Sequence, residues 1–178
     1  MQNMQIFIET NRLILRELMP SDVTGMFELD ADAEVHRYIG NKPIATMDEA
    51  RQVIAFIRDQ YVQNGIGRWA VIEKATGDFV GWSGLKLVKE LTNGHINYHD
   101  LGYRLLKKHW QKGYATESAK AALEYGFNTL NLPVIYALID PLNMASRNVL
   151  LKTGLQFIET FNLKGVPHDW FKKERPAL

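Results

Sequence analysis

The stretch Trp110-Gln111-Lys112-Gly113-Tyr114-Ala115-Thr116-Glu117 constrains this chain more than any other. It stands between a strand-like run, Asp100 to Leu106, and a helix-like run, Ala115 to Leu130. Glycine at such a junction lets the backbone come close to a ligand, because no Cβ intervenes. The first N–H groups of the following helix have no partner within the helix and point outward as donors toward an anion. Strand, glycine loop and helix N-terminus together predict a phosphate cradle.

Two other phosphate loops are excluded by spacing. A Walker loop needs a glycine, four residues and then Gly-Lys-Ser/Thr, whereas Lys112 precedes Gly113 here. A dinucleotide fingerprint needs three spaced glycines near the first strand of a βαβ unit. This loop has one glycine and lies past mid-chain.

With 178 residues, 46% hydrophobic and 23% charged, the chain is expected to form one domain, 1–178, around a substantial core. A formal net charge of +1 gives no bulk attraction for nucleic acid. Basic residues cluster at Lys107, Lys108, His109 and Lys112, either as a solvated loop or as attraction for a phosphorylated coenzyme. Having no cysteine excludes disulfides, thiolate metal sites and a thiol nucleophile. Met1 to Thr10 has neither a basic start nor a long apolar stretch. No run approaches the roughly 18 apolar residues of a membrane span, so a cytoplasmic protein with no membrane partner is expected.

Alternation predicts a first strand over Arg12 to Glu17, and Ser21-Asp22 offers an N-cap for a helix ending near Asp30. Ala33 to Tyr38 reads as another turn of helix. Thr46-Met47-Asp48-Glu49 is a capping box opening a helix through about Gln63, closed by Asn64-Gly65. Strands are predicted over Arg68 to Glu73, Phe79 to Val88 and Ile96 to Leu106, the last leading into the cradle. Ala115 to Leu130 then reads as a helix, Pro133 to Ile139 as an apolar central strand and Asn143 to Lys152 as a second helix. Gln156 to Asn162 and Asp169 to Lys173 close the chain as a hairpin. The expected fold class is α+β, a three-layer α/β/α sandwich with a mixed, mostly antiparallel sheet.

Tyr103 to Thr116, followed by Asn143 to Gly154, resembles the GNAT superfamily of acyl-coenzyme A N-acyltransferases. The nearest branch includes the ribosomal-protein N-terminal acetyltransferases. Gly102-Tyr103-Arg104-Leu105 and Trp110 to Glu117 stand at that branch's spacing, followed by its Asn143, Ser146, Leu150, Lys152 and Gly154. Thr10 to Arg16 is similar to its first strand. Four positions depart from the family pattern: Trp110 replaces a usual Gln or Arg, Leu150 a frequent proton-donating Tyr, Leu155 the Phe after Gly154, and Asn148 a usual Arg, with Arg147 one place earlier.

The resemblance implies acetyl transfer from acetyl-CoA to a primary amine in a ternary complex, without a metal. The implied acceptor is a protein N-terminus, ribosomal in that branch, with a small-molecule amine as the alternative. Gln111, Lys112, Gly113, Tyr114, Ala115 and Thr116 would cradle the pyrophosphate through backbone N–H groups. Leu105 and Leu106 would bond the pantetheine amides through their main chain, or serve as plain core leucines. A splayed gap between that strand and the next would admit the thioester, polarised against a backbone N–H. The protein is expected as a monomer or homodimer.

An alkyl amine is protonated at neutral pH, so a base is needed. Alternation puts Tyr98, Asp100 and Gly102 on one face of the long strand and Asn97, His99 and Tyr103 on the other. Asp100 stands where the branch often has Glu, and is either the base or the ion-pair partner of Arg104. His99 is the second candidate base. Ser146 is either the acid or an ordinary first-turn serine, and Asn143 either bonds the coenzyme or caps its helix. His36, His109 and His168 read as surface or packing residues, as do Trp110 and Tyr114; Trp69 and Trp82 line the acceptor cleft or belong to the core. The missing tyrosine at position 150 keeps a non-catalytic acyl-CoA-binding module open as the competing class.

Overall fold

The computed structural model describes residues 5–177. The first four residues of the segment expected to carry no secretory signal lie outside them. The strands are β1 (Ile6–Glu9), β2 (Leu13–Arg16), β3 (Arg68–Glu73), β4 (Phe79–Val88), β5 (Tyr98–Leu105), β6 (Val134–Ile139), β7 (Gln156–Leu163) and β8 (Val166–Glu174). They form one sheet in the order β1-β2-β3-β4-β5-β6-β8-β7. Every neighbouring pair is antiparallel except β5 with β6, which is parallel. A parallel pair needs a long crossover, and the helix α4 (Tyr114–Asn128) supplies it.

The other helices are α1 (Val23–Ala31), α2 (Ala33–His36), α3 (Met47–Asn64) and α5 (Met144–Lys152). The capping box of α3 forms as expected: Glu49 N–H donates to Thr46 Oγ1, and Thr46 N–H to Glu49 Oε2. Gly65 ends that helix at φ +69°, in the left-handed region that a side chain would strain. Asp22 stands at the N-cap of α1 but does not cap it through its side chain. Its carboxylate takes both Nη atoms of Arg16 and the Met19 N–H instead.

Burial divides along the two sheet faces. On the first, Ala70 and Trp82 pack against Met26 and Leu29 of α1 and Ala50, Ile54 and Ile57 of α3. On the second, Trp69, Val71, Leu85 and Leu101 pack against Ala119, Ala122, Leu123 and Phe127 of α4. This is the three-layer, mostly antiparallel α+β fold expected. Among the described residues, no helix is long and apolar enough to cross a membrane.

The differences from the sequence reading are local. β1 is an added edge strand, paired with β2, that the sequence reading did not include. The long third strand starts at Tyr98 rather than Ile96, because Asn97 takes a left-handed φ of 53°. Trp69 is core, stacked with Phe7 at 5.3 Å and edge-on to Tyr125 at 5.1 Å. Trp82 is half-buried and lies beneath the Arg68 and Arg104 guanidinium groups, at 5.5 and 5.0 Å.

Candidate active site

β5 and β6 share one register pair, Asp100 with Tyr136. Beyond it the strands run on to Leu105 and Ile139 unpaired with each other, so the sheet parts toward their C-terminal ends. α4 and α5 both begin at that end, aiming two helix N-termini at the opening.

The loop into α4 has the shape of an anion cradle. Gln111 and Gly113 take left-handed φ values of 60° and 81°, which turns the chain sharply before the first helical N–H groups. Gly113 is the N-cap of α4, and no side chain caps the helix, so its first donors keep no internal partner. Glu117, the acidic residue of the first turn, is drawn away from the opening. It accepts from the Thr10 hydroxyl at 2.6 Å, the Arg12 N–H at 3.1 Å and Arg12 Nε at 2.7 Å. Burial pushes its carboxyl up, but those hydrogen bonds outweigh burial and hold it below its ordinary value. Arg12 also donates to the Lys112 carbonyl at 2.9 Å, tying the loop to the start of β2. An uncapped helix start, a glycine without Cβ and a neutralised glutamate together fit a pyrophosphate.

The main chain of β5 decides which leucine faces the gap. The Leu106 N–H donates to the Val80 carbonyl at 2.9 Å, and its own carbonyl accepts from His109 N–H at 2.9 Å. The Leu106 N–H is therefore committed to β4 and its carbonyl engaged in its own turn, so its N–H does not face the gap as the coenzyme-amide expectation requires. Antiparallel pairing alternates main-chain direction, so Tyr103 and Leu105 direct theirs toward the opening. The Leu105 carbonyl also accepts from Trp110 Nε1 at 2.8 Å, which fixes the half-exposed indole against the end of β5.

The basic cluster resolves differently from its sequence appearance. Lys107 pairs with Glu34 and Lys108 with Glu28. His109 is buried beside Tyr114, whose hydroxyl donates to Glu73. Of the four, Lys112 alone has a side chain both exposed and without a carboxylate partner among the described residues. His36 is likewise buried, 3.7 Å from the Asp30 carboxylate. Burial first, then nearby cations (Lys112 for His109, Arg104 for His36), holds both imidazoles below their ordinary value. Both take up a proton at lower pH in the fold than in the unfolded chain, which titrates near pH 6.5, so the unfolded state binds more protons as pH falls through about that value. Stability is expected to fall as pH drops from 7 to 5.5, read as a lower urea midpoint. His109→Leu should flatten part of the decline, and a wild-type midpoint constant over that range would contradict the assignment.

Asp100 faces the first side of the sheet, as alternation predicts, but its partner is Arg68 rather than Arg104. Arg68 Nη2 donates to Asp100 Oδ2 at 2.6 Å, and Nη1 to the carbonyls of Gly84 and Asp100. A Cβ on Gly102 would stand 2.5 Å from Arg68 Nη2, so the glycine of Gly102-Tyr103 makes room for that guanidinium. Burial pushes the Arg68 guanidinium below its ordinary value, against the opposing pull of Asp100. Arg104 instead reaches Asp30 of α1 at 2.6 Å. Arg68 was missed by sequence reading, although a cation inside Gly67-Arg68-Trp69-Ala70-Val71 signals a buried charge that requires a partner.

The remaining site residues lie on the opposite face. Tyr103 donates its hydroxyl to the Ser146 carbonyl at 3.1 Å, and burial raises its phenol well above the ordinary value. Asn143 caps α5, its Oδ1 accepting from Ser146 N–H at 3.1 Å; the Nδ2 group remains for a ligand. His99 is half-buried, with its imidazole lowered by burial alone. It lines a cavity of about 410 Å³ with His95, Tyr98 and Pro133, at the N-terminal ends of β5 and β6. Alternation puts His99 on the side of the sheet opposite Asp100, so the structure does not set the two candidate bases on one face.

A strand that parts from its parallel neighbour above an uncapped helix start fits the acyl-coenzyme A cleft that the sequence resemblance implies. Comparison with known proteins agrees. A family model described as an acetyltransferase (GNAT) domain matches residues 12–156. The uncharacterized N-acetyltransferase p20 of Bacillus licheniformis is 31% identical over 147 residues, covering 83% of this chain and 80% of its own. Spermidine N(1)-acetyltransferase of Escherichia coli (strain K12) is 28% identical over 159 residues, covering 88% of this chain and 77% of its own. Among solved structures, RimL, a ribosomal L7/L12 alpha-N-protein acetyltransferase in complex with coenzyme A, superposes with a TM-score of 0.79 at 15% identity. That match covers 96% of this chain and 98% of RimL.

The chain belongs to the GNAT acetyltransferase family. It is an N-acetyltransferase, in a family that uses acetyl-CoA.

Proposed function

We propose that this protein moves the acetyl group of acetyl-CoA directly onto a primary amine held on the first face of the sheet, beside Asp100. The observation that carries this reading is the uncapped start of α4 behind left-handed Gln111 and Gly113, placed where β5 and β6 part. Bound there, acetyl-CoA supplies an activated acyl group whose departure leaves a thiolate. The main chain of Gln111 to Thr116 holds the pyrophosphate, and Tyr103 and Leu105 orient the arm along β5. No metal takes part in this reading.

Asp100 serves as the base that takes a proton from the amine, directly or through water. Arg68 holds Oδ2 and leaves Oδ1 for that proton, as an orienting partner does in other acid–base sites. Ser146 and Tyr103 meet at the first turn of α5, and a hydroxyl of this pair protonates the leaving group in place of the side chain absent at Leu150. A protein N-terminus is the first acceptor considered, supported by the likeness to RimL, and a small-molecule amine the second, supported by the spermidine enzyme.

Asp100→Asn tests the base. It is expected to lower kcat by about 10²- to 10⁴-fold at neutral pH and to remove the acid limb of the pH–rate profile, with coenzyme affinity retained. A profile superimposable on wild type would remove Asp100 from that role.

A further inference from the structure

The charges on the floor of the acceptor face leave one cation unmatched. Register places Trp82, Lys86, Asp100 and Arg104 on the first face of β4 and β5, with the Arg68 guanidinium lying across them. Asp100 is neutralised by Arg68 at 2.6 Å, and Arg104 by Asp30 at 2.6 Å. Lys86 stands directly opposite Asp100 in the β4–β5 ladder, yet has no ion-pair or hydrogen-bond partner among the described residues. It is half-buried, and its nearest other carboxylate influence comes from Glu90. Burial, followed by the Arg68 charge, weighs against its ammonium, the condition of a cation whose counter-ion is not part of the fold.

The same ladder sets the neighbourhood. One row crosses the sheet from Lys86 to Asp100 to Tyr136, so Lys86 and the carboxylate that would receive the amine proton stand on adjacent strands and share one face. An acceptor whose amine sits at Asp100 therefore brings its neighbouring groups within reach of the Lys86 side chain.

Resting on the transferase reading above, we infer that the acceptor is a primary amine carrying a neighbouring anionic group, and that Lys86 binds that anion. The anion is either the carboxylate of a free amino acid or short peptide, or an acidic side chain beside a protein N-terminus. A polyamine fits this floor poorly, since the one carboxylate at the strand junction is taken by Arg68 and the unmatched group is a cation.

The test is thiol release from acetyl-CoA with matched acceptors. One arm compares free amino acids with their amides; a second compares peptides beginning with glutamate and with glutamine; a third uses spermidine. The acid form is expected to exceed its neutral isostere in kcat/KM by about 10- to 100-fold in one of the first two arms, as befits a charge-assisted hydrogen bond. Which arm shows it identifies the source of the anion. In Lys86→Gln that ratio should collapse toward one, and in Lys86→Arg it should largely return, with acetyl-CoA still raising the melting temperature of both. Equal rates for acid and amide, or preference for spermidine, would overturn this inference while leaving acetyl transfer intact. Silence across all arms would overturn both.

Discussion

Replacing Arg68 with methionine is expected to destabilise the protein by about 3–5 kcal/mol, one of the largest effects available to a single side chain here. Arg68 and Asp100 have side-chain exposures of 8% and 13%, so the pair sits largely out of water. Removing the guanidinium strands the carboxylate and also leaves the Gly84 and Asp100 carbonyls without their donor. For a domain of this size the loss corresponds to roughly 10 °C in Tm. Arg68→Met combined with Asp100→Leu should recover much of the stability, because no buried charge then remains uncompensated. Urea unfolding of the two single variants and the double variant measures that coupling. Additive losses would show that the two side chains do not act as a pair.

The second large effect concerns Gly113. Gly113→Val is expected to weaken acetyl-CoA binding by at least about 100-fold, read by calorimetric titration. Two causes combine, and they are separable. A β-branched residue at φ +81° costs roughly 1–2 kcal/mol in the loop itself, and its Cβ would stand where the pyrophosphate meets the helix start. In the protein alone that Cβ meets only Arg12 Nη2, at 3.3 Å, so crowding within the fold is slight. Gly113→Asn tolerates the left-handed backbone but still carries a Cβ. It should fold normally and bind the coenzyme poorly, whereas near-wild-type affinity in the Asn variant would trace the valine effect to strain instead.

Local signals carried most of the fold. The spans of β3 and β4, the capping box of α3 and the apolar face of α4 all depend on residues a few positions apart, where periodicity and capping chemistry act. The junction of β5, Gly113 and α4 was legible for the same reason, since strand, glycine and helix start are contiguous. Partnerships across the sheet were not. Alternation put Asp100 on the correct face, and Arg104 was the nearest cation in sequence on that face. The actual partner is 32 residues away on β3, and only the order β3-β4-β5 with a glycine at 102 brings it there. The direction of the Leu106 N–H was hidden in the same way: it depends on the phase of pairing with β4, which Val80 sets and sequence spacing does not. Lys108 looked like a phosphate ligand because Glu28 is 80 residues distant.

Residues at the parting of β5 and β6 bear on function more than their sequence motifs suggest. Asp100 is at once the one registered contact with β6, the partner of a buried arginine and the neighbour of an unmatched lysine. A change there therefore touches sheet geometry, charge balance and, on the proposed reading, proton transfer together. Stability and pH–rate measurements on Asp100→Asn should be made on the same preparation for that reason.

The most direct test of the central claim is simultaneous measurement of thiol release from acetyl-CoA and acetylation of the amine acceptor by mass spectrometry. One acetyl group on the acceptor amine for each thiol released, at a rate proportional to protein and abolished in Gly113→Val, is the predicted result. Saturable acetyl-CoA binding at the cradle with no acetyl transferred to any amine would contradict it, and would make the protein an acyl-coenzyme A-binding module on a transferase fold.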